Sequence, residues 1–189
     1  IFGSPRGKKS YSSAFHRAFL EPIRSAAVVH SFHVYTMKIA ACTACGHCHT
    51  HGDCIFDDDM KRIYRELRSA DMISISSPLY FSSLPGPLKI LIDRCQMIWE
   101  LRERNEWPVK NAHGFFISSG GADYTNMFLP SVTIIRHFFN SLRISYDEKN
   151  FLLFRGMETT AAHSAASEHM TRCGEIGQQY LSKLTGTAE

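Results

Sequence analysis

Four cysteines stand close together in this sequence, at a spacing suited to a metal centre. They form the pattern CxxCxxCx₅C and are Cys42, Cys45, Cys48 and Cys54. Two consecutive CxxC turns gather three thiolates around one point, and a short loop returns the fourth. A cubane 4Fe–4S cluster takes four thiolates in such a compact arrangement. The spacing therefore predicts a 4Fe–4S centre in the cysteine-rich loop 42–54.

Zinc and unligated thiols are alternative interpretations of the same loop. Structural zinc sites usually pair two separated CxxC or CxxH turns rather than three cysteines in succession. His47, His49 and His51 nevertheless lie inside the loop and keep zinc open. The thiols could also be reduced and bind nothing. A disulfide scaffold is disfavoured, because such scaffolds spread their cysteines along a small secreted chain.

Three segments rich in Gly and Ser could bind a phosphorylated ligand. They cover residues 3–12, 77–83 and 118–124, and each follows an apolar run. In the first, successive backbone N–H groups and the start of the next helix favour a phosphate. Neither the Walker pattern nor GxGxxG is present, so a single phosphate monoester is expected. An ordinary Gly/Ser turn that caps a helix is the alternative.

Alternating strands and helices must position these segments. Apolar runs predict strands at residues 1–2, 27–36, 71–76, 112–118 and 144–154, and helical periodicity predicts helices at 12–25, from 57 onward, 84–99, 132–142 and 158–184. This alternation favours a three-layer α/β sandwich with a parallel sheet. Ligands of such folds bind at the carboxyl ends of the strands. The three segments are therefore expected to meet at one edge of the sheet.

Composition and charge exclude several classes of function. The chain has 189 residues, with 21 Lys and Arg against 18 Asp and Glu, which gives a net charge of +3. That weak charge is not the dense basic stripe typical of nucleic-acid binding. The longest uncharged stretch, residues 72–88, contains three prolines, so no membrane span is expected. No secretory signal opens the chain, which indicates a cytoplasmic protein.

The sequence resembles the NADPH-dependent FMN reductase and iron–sulfur flavoprotein family. The resemblance rests on GSPR after the first strand, SPLYF after the third, LKILIDR in the next helix and SSGG after the fourth strand. It runs from Ile1 to about Phe154. It implies one flavodoxin-like domain over residues 1–189, with a five-stranded parallel sheet of order 2-1-3-4-5. Family members have several strand residues before GSPR, so we expect a few residues to precede Ile1.

The resemblance also implies FMN in the cleft formed by the three segments. Its phosphate would be held by Ser4, Arg6, Ser10 and Ser12. Its isoalloxazine would be lined by Pro78, Leu79, Tyr80, Phe81 and Ser82, and closed on the other side by Ser118, Ser119, Gly120 and Gly121. The flavin carries the hydride chemistry with NAD(P)H. No side-chain acid or base is required, so no catalytic residue is assigned.

Iron–sulfur members of the family carry the same compact cysteine pattern. The resemblance thus implies a protein that passes electrons between NAD(P)H or a reduced carrier, FMN and a 4Fe–4S cluster. We expect a homo-oligomer, a dimer or tetramer, with Trp99, Trp107 and Phe81 as interface candidates. A ferredoxin-like or quinone redox partner is also expected. The alternatives are a cluster-free NAD(P)H-dependent FMN or quinone reductase, and a zinc-stapled, non-catalytic binding domain.

Overall fold

The sheet consists of three parallel strands. The computed structural model describes residues 1–159 and 162–185. The strands are β1 (Met72–Pro78), β2 (His113–Ser119) and β3 (Phe151–Phe154), in the order β1-β2-β3. Ile73 of β1 lies opposite Gly114 of β2, and Phe116 of β2 lies opposite Phe151 of β3. Strands β1 and β2 are buried along nearly their whole length, which fits a parallel sheet that is covered on both faces.

The segments predicted as the first two strands take part through single residues. Phe2 forms one parallel bridge to Ser76 of β1 and another to His33. Just beyond this bridge the chain turns into a 3-10 helix, Val34–Thr36. The strand predicted at 27–36 is therefore wrong over most of its length. The described sheet has three strands with these bridges beside β1, rather than the five strands expected from the sequence.

Seven α-helices are seen in residues 1–159 and 162–185. They are α1 (Tyr11–Ile23), α2 (His47–His51), α3 (Met60–Ser69), α4 (Gly86–Arg94), α5 (Gln96–Glu103), α6 (Leu129–Ser141) and α7 (Ala162–Leu184). The single helix predicted at 84–99 is two helices that meet at Cys95, and α2 lies where only a loop was expected. The last strand is shorter than predicted because a 3-10 helix, Glu148–Asn150, precedes it. No described helix is long and apolar enough to cross a membrane.

Helices cover both faces of the sheet. On one face, Phe115 and Ile117 of β2 pack in a cluster with residues of α1 and α7, among them Phe19. On the other face, Ile75 and Phe116 pack with residues of α3, α4, α5 and α6. Alternate residues of β2 serve the two faces, as the two-residue period of a strand requires. The described chain therefore has the three layers that the sequence predicts.

Helices α1 and α7 approach each other closely at one glycine. A Cβ on Gly177 would overlap the carbonyl oxygen of Phe19 and come within 3.0 Å of Pro22 Cγ. One turn earlier, a Cβ on Gly174 would lie 3.6 Å from the carbonyl oxygen of Ala18, an ordinary contact. The backbones therefore meet closely because Gly177 has no side chain.

A buried histidine ties α1 to β1. His16 lies with Nδ1 3.0 Å from Ser76 Oγ and Nε2 2.7 Å from Ser74 Oγ. Its ring also contacts that of Phe2, with 4.4 Å between centroids. Burial lowers the pKa of His16 well below its ordinary value. The imidazole is therefore neutral in the folded protein and can both donate to and accept from the two serines.

The free energy of unfolding should fall as the pH drops below about 6.5, the ordinary pKa of histidine. The unfolded chain then binds a proton at this position that folded His16 does not bind. Each pH unit below that value costs up to about 1.4 kcal/mol, until the folded pKa is reached. Urea unfolding across this range, compared between the wild type and His16→Gln, measures the effect. His137→Gln, at an exposed position on α6, is the control. If the free energy of unfolding depends on pH equally in the wild type and in His16→Gln, buried His16 is not the cause of the pH dependence.

Candidate functional site

The structure brings the three glycine- and serine-rich segments together at one edge of the sheet. The N–H of Gly3 donates to the carbonyl of Ser76 near the end of β1, at 2.7 Å. The N–H of Leu79 donates to the carbonyl of Ser119 at the end of β2, at 2.9 Å, and Gly120 donates to the last residue of β3. These are the carboxyl ends of the strands, where α/β folds bind their ligands.

The first segment combines the N-terminus of α1 with exposed cations. Ser10 precedes α1, and its hydroxyl lies 2.9 Å from that of Ser12. The Ser13 hydroxyl, buried in the same turn, has no hydrogen-bond partner in the described part of the chain. Three exposed cations follow one another closely: Arg6, Lys8 and Lys9. The N–H groups of the first helical turn, the helix dipole and these cations all favour an anionic group here.

The four residues predicted to hold a phosphate all lie in this first segment. Ser4 is buried, and its hydroxyl accepts from the N–H of Arg6 at 3.3 Å. Ser10 and Ser12 are buried and bonded to each other, whereas Arg6 is exposed. Ser4 only accepts in its bond, and one of Ser10 and Ser12 accepts from the other, so these hydroxyls keep O–H groups that can donate to a ligand, as can the Arg6 side chain.

The second segment makes a tight turn with an exposed ring at its tip. The N–H of Tyr80 donates to the carbonyl of Ser83 at 3.0 Å, and the N–H of Ser83 donates back at 2.9 Å. The central residues Phe81 and Ser82 have φ of 48° and 59°. Non-glycine residues rarely adopt this left-handed region, and such strain concentrates at functional sites. The turn presents the fully exposed Phe81 side chain beside the carboxyl end of β1, while Pro78 and Leu79 are half-buried.

A side-chain hydrogen bond joins the second segment to the third. It links the hydroxyl of Ser82 to that of Tyr124. Ser118 is buried and donates to the carbonyl of Ser77 at 2.9 Å, so its hydroxyl serves the protein rather than a ligand. Tyr124 is a site residue that the sequence did not single out, although it lies within the third segment.

The two glycines of the third segment lie close to two long side chains. A Cβ on Gly120 would overlap the side chain of Met127, and one on Gly121 would overlap that of Glu158. Both contacts are with the far ends of flexible side chains that can move aside, so packing alone does not require glycine at these two positions. The predicted isoalloxazine contacts of both glycines stay predictions.

The four clustered cysteines line one cavity beside α4 and α5. The cavity has a volume of about 440 Å³ and is lined by Cys42, Cys45, Cys48 and Cys54, with Arg94 and Glu100 among the other residues. All four are free thiols; the first two are exposed and the others are half-buried. Within residues 1–159 and 162–185, no group of three or more His, Cys, Asp or Glu side chains is arranged to hold a metal ion. The structure thus gathers the thiols around one space without placing them as a ligand set.

The histidines of the cysteine-rich loop have partners other than the thiols. His47 Nε2 lies 3.1 Å from Asp53 Oδ1, and the ring of His47 stacks on that of His51 with 4.0 Å between centroids. His49 Nδ1 donates to Glu100 at 2.9 Å, and this hydrogen bond lowers the pKa of Glu100. None of these contacts directs an imidazole toward a thiol.

A buried ion pair lies against the cysteine-rich loop. Arg94, 1% exposed, has Nη1 2.6 Å from Asp58 Oδ2 and donates to the carbonyl of Ala40 at 2.8 Å. Its Nη2 donates to Cys54 Sγ at 3.2 Å. Burial opposes ionisation of Asp58, but hydrogen bonds from Arg94 and from the N–H groups of Ala40 and Met60 lower the pKa of this carboxyl. The pair therefore carries both charges at neutral pH.

The sequence profile of the family described as NADPH-dependent FMN reductase matches residues 1–141. This chain belongs to that family. The iron-sulfur flavoprotein of Methanosarcina thermophila is 38% identical over 85 residues, which are 45% of this chain and 42% of that protein. An iron-sulfur flavoprotein of Archaeoglobus fulgidus is 34% identical over 94 residues, 50% and 43% of the two chains. The matched region thus spans less than half the length of these two relatives.

Solved structures of this shape include the azoreductase AzrA, with a TM-score of 0.71 at 12% identity over 94% of this chain and 97% of that one. The NAD(P)H:quinone oxidoreductase from Methanothermobacter marburgensis has a TM-score of 0.62 at 16% identity, over 95% and 92%. A flavodoxin from the domain Archaea has a TM-score of 0.57 at 13% identity, over 97% and 95%. At such identities the likeness shows the fold alone, which is the α/β flavodoxin-like fold.

The sequence reasoning missed two site residues of this FMN reductase family member, Arg94 and Asp58. Arg94 stands in the LKILIDR segment, which served only to mark a resemblance, and Asp58 stands in a run of three aspartates assigned to a helix start. A signal was present: Arg94 follows Leu88 and Leu91 at three-residue spacing, on the buried face of α4. A charge on a buried face requires a partner of opposite charge.

Proposed function

We propose that this chain is an FMN-dependent NAD(P)H oxidoreductase of the iron–sulfur flavoprotein type. Its FMN lies at the sheet edge where the three loops meet, and its 4Fe–4S cluster is held by Cys42, Cys45, Cys48 and Cys54. The observation that carries the proposal is that these four thiols, spaced as CxxCxxCx₅C, line one cavity in a member of the FMN reductase family.

The cleft fits the two ends of FMN. Bound FMN supplies the hydride acceptor and releases electrons singly or in pairs. The N-terminus of α1 and the exposed Arg6 favour its phosphate. The second and third loops, joined through Ser82 and Tyr124, bound the space for its ring. The strained turn holds Phe81 at the mouth of this space, where a nicotinamide or an acceptor would enter.

The donor set of the cysteine-rich loop fits an iron–sulfur cluster. Four free thiols are the ligands that a 4Fe–4S cluster takes. Exposed Cys42 and Cys45 leave one side of the cavity open to an electron-transfer partner, for which we propose a ferredoxin-like protein or a quinone.

We also infer a homo-oligomer that brings the cluster of one subunit near the FMN of another. Exposed Phe81 and Trp99 support this, whereas Trp107 is buried beneath Arg68 and the interface role given to it from the sequence is wrong. The two bridges of Phe2 support a five-stranded order of 2-1-3-4-5 within one domain.

A second candidate function is a cluster-free NAD(P)H-dependent FMN or quinone reductase. It is favoured because the described residues contain no arranged group of metal ligands. The fold shared with proteins described as an azoreductase and an NAD(P)H:quinone oxidoreductase is consistent with it. A zinc-stapled binding domain is less well supported, since three of the cysteines follow one another in succession rather than as two separated pairs.

Quantification of FMN, iron and acid-labile sulfide after anaerobic purification tests the proposal. We expect about one FMN with about four irons and four sulfides per chain. Cys45→Ala and Cys48→Ala should each reduce the iron content to nearly none while FMN is retained. Cys173→Ala, which removes a buried thiol of α7, is the matched control and should keep its iron.

The other outcomes separate the candidates. FMN without iron or sulfide in the anaerobic wild type supports the cluster-free reductase. A colourless protein with stoichiometric zinc supports the binding domain. Iron that persists in both Cys45→Ala and Cys48→Ala contradicts the assigned ligands.

A further inference from the structure

We propose that Arg94 and Asp58 position Cys54 and together set the reduction potential of the cluster. Arg94 does so as a hydrogen-bond donor to a ligand sulfur, and Asp58 by offsetting the charge of Arg94. This inference rests on the proposed function, because it concerns the cluster held by the same cysteines. Both are positioning residues, since neither ligates iron.

The contact of Arg94 with Cys54 is built from buried groups. The guanidinium is fully buried and lies with Nη2 3.2 Å from Cys54 Sγ. The same nitrogen lies 3.4 Å from Asp58 Oδ1, while Nη1 lies 2.6 Å from Asp58 Oδ2. The planar fork of arginine makes these contacts at once, and a lysine ammonium cannot reproduce them. Asp58 therefore fixes the plane from which Arg94 reaches the sulfur.

Arg94 also holds the two ends of the cysteine-rich loop. Its Nη1 donates to the carbonyl of Ala40, just before Cys42, and its ring partner Phe56 lies just after Cys54, at 4.7 Å from Cζ to the ring centroid. The carbonyl of Arg94 accepts from the hydroxyl of Tyr64 at 2.6 Å, which anchors the end of α4 to α3. Arg94 of α4 thus contacts the chain at both ends of the cysteine-rich loop.

The guanidinium has more donors than the chain supplies acceptors. Arg94 Nε is buried and has no hydrogen-bond partner in the part of the chain that the structure describes. Arg94 is also among the residues that line the cavity of the four thiols. Buried donors without acceptors are rare in native proteins. Arg94 is therefore suited to a neighbour that carries negative charge and several acceptor sulfurs.

These contacts have a consequence for electron affinity. Each electron that enters at the cysteines adds one negative charge beside a buried cation in a region of low dielectric. Hydrogen bonds to the sulfurs and net local charge both tune the potential of such clusters. Arg94 should favour the reduced state and raise the potential, whereas the Asp58 carboxylate should lower it. The two residues therefore act in opposite directions.

Redox titration of the anaerobically purified holoprotein, monitored by EPR, tests this. Arg94→Gln should lower the midpoint potential of the cluster, and Asp58→Asn should raise it. We expect each change to alter the ratio of reduced to oxidised cluster at a fixed potential at least tenfold, which is 59 mV for a one-electron couple. The FMN potential, measured in the same sample, should stay unchanged.

Two further variants keep the test decisive. The double variant Arg94→Gln/Asp58→Asn removes both charges, leaves no unpaired buried ion, and should return toward the wild-type potential. Arg62→Gln removes one positive charge from the exposed side of α3, where Arg62 lies over the ring of Phe32, and should leave the potential unchanged. If Arg94→Gln does not fold, Asp58→Asn and the double variant still give the direction in which the midpoint potential of the cluster shifts.

The outcomes distinguish this inference from the proposed function. Wild-type protein without iron or sulfide overturns the cluster and, with it, the role of Arg94. Wild-type protein with four irons, together with variants whose cluster potentials are unshifted or shift in the same direction, overturns the inference alone. Loss of iron in both single variants without a shift in the remaining clusters indicates a purely structural ion pair and also overturns it.

Discussion

Gly177→Ala should lower the free energy of unfolding by about 3 kcal/mol, the upper range for overpacking. The added Cβ would meet the backbone carbonyl of Phe19 rather than the end of a flexible side chain. A backbone oxygen inside α1 moves only with its helix, so α1 and α7 must separate. That separation would loosen the cluster around Phe115 on one whole face of the sheet.

Gly174→Ala is the matched control for this substitution. It lies on the same helix, one turn earlier, and its Cβ would have ordinary room. Alanine is preferred over glycine inside a helix by about 1 kcal/mol, so this variant should be more stable than wild type. Urea unfolding of both variants measures the difference. Two changes of the same sign would show that the close approach at Gly177 does not limit the packing of the two helices.

Arg94→Met in cluster-free, reduced protein should lower the free energy of unfolding by about 3–5 kcal/mol, the range for breaking one side of a buried ion pair. The Asp58 carboxylate would keep its N–H donors, Ala40 and Met60, but lose the guanidinium that pairs with it. The carbonyl of Ala40 and the sulfur of Cys54 would lose donors as well.

The double variant Arg94→Met/Asp58→Asn should recover most of that loss. Asparagine keeps a side-chain oxygen that can accept from the same N–H groups, and no buried charge remains without a partner. A double-mutant cycle from urea unfolding gives the coupling between the two residues. Single effects that simply add would mean that the contact seen between Arg94 and Asp58 contributes little to stability.

The local sequence pattern predicted buried elements well where they pack against other helices and strands of the sheet. Met60, Ile63, Tyr64 and Leu67 form the buried stripe of α3 that their spacing indicates. The strand predicted at 71–76 covers the first five residues of β1, which is buried on both faces. The run at 27–36 has a similar content of branched and aromatic residues but pairs only at His33. Strand propensity depends on the neighbouring strand, which a local pattern does not contain.

The candidate site likewise has one part that the sequence predicted and one part that it did not. The three loops follow strand ends, so the alternation of elements was enough to place them at one edge. The link between Ser82 and Tyr124 and the pair of Arg94 with Asp58 join residues 42 and 36 positions apart. Such contacts arise from tertiary packing, and residue spacing carries no signal for them. The buried arginine at an apolar helix position was the single local sign of the second pair.

The close packing of α1 against α7 also has a consequence for folding during synthesis. The aromatic face formed by Phe15, Phe19 and Phe115 is completed by α7 (Ala162–Leu184), which is synthesised after the sheet and the other helices. A nascent chain on the ribosome that lacks α7 would expose part of this face to other chains. Partly folded states with exposed apolar surface are those that aggregate and engage chaperones. Slow translation before residue 162 would therefore lengthen the interval in which this protein needs a chaperone.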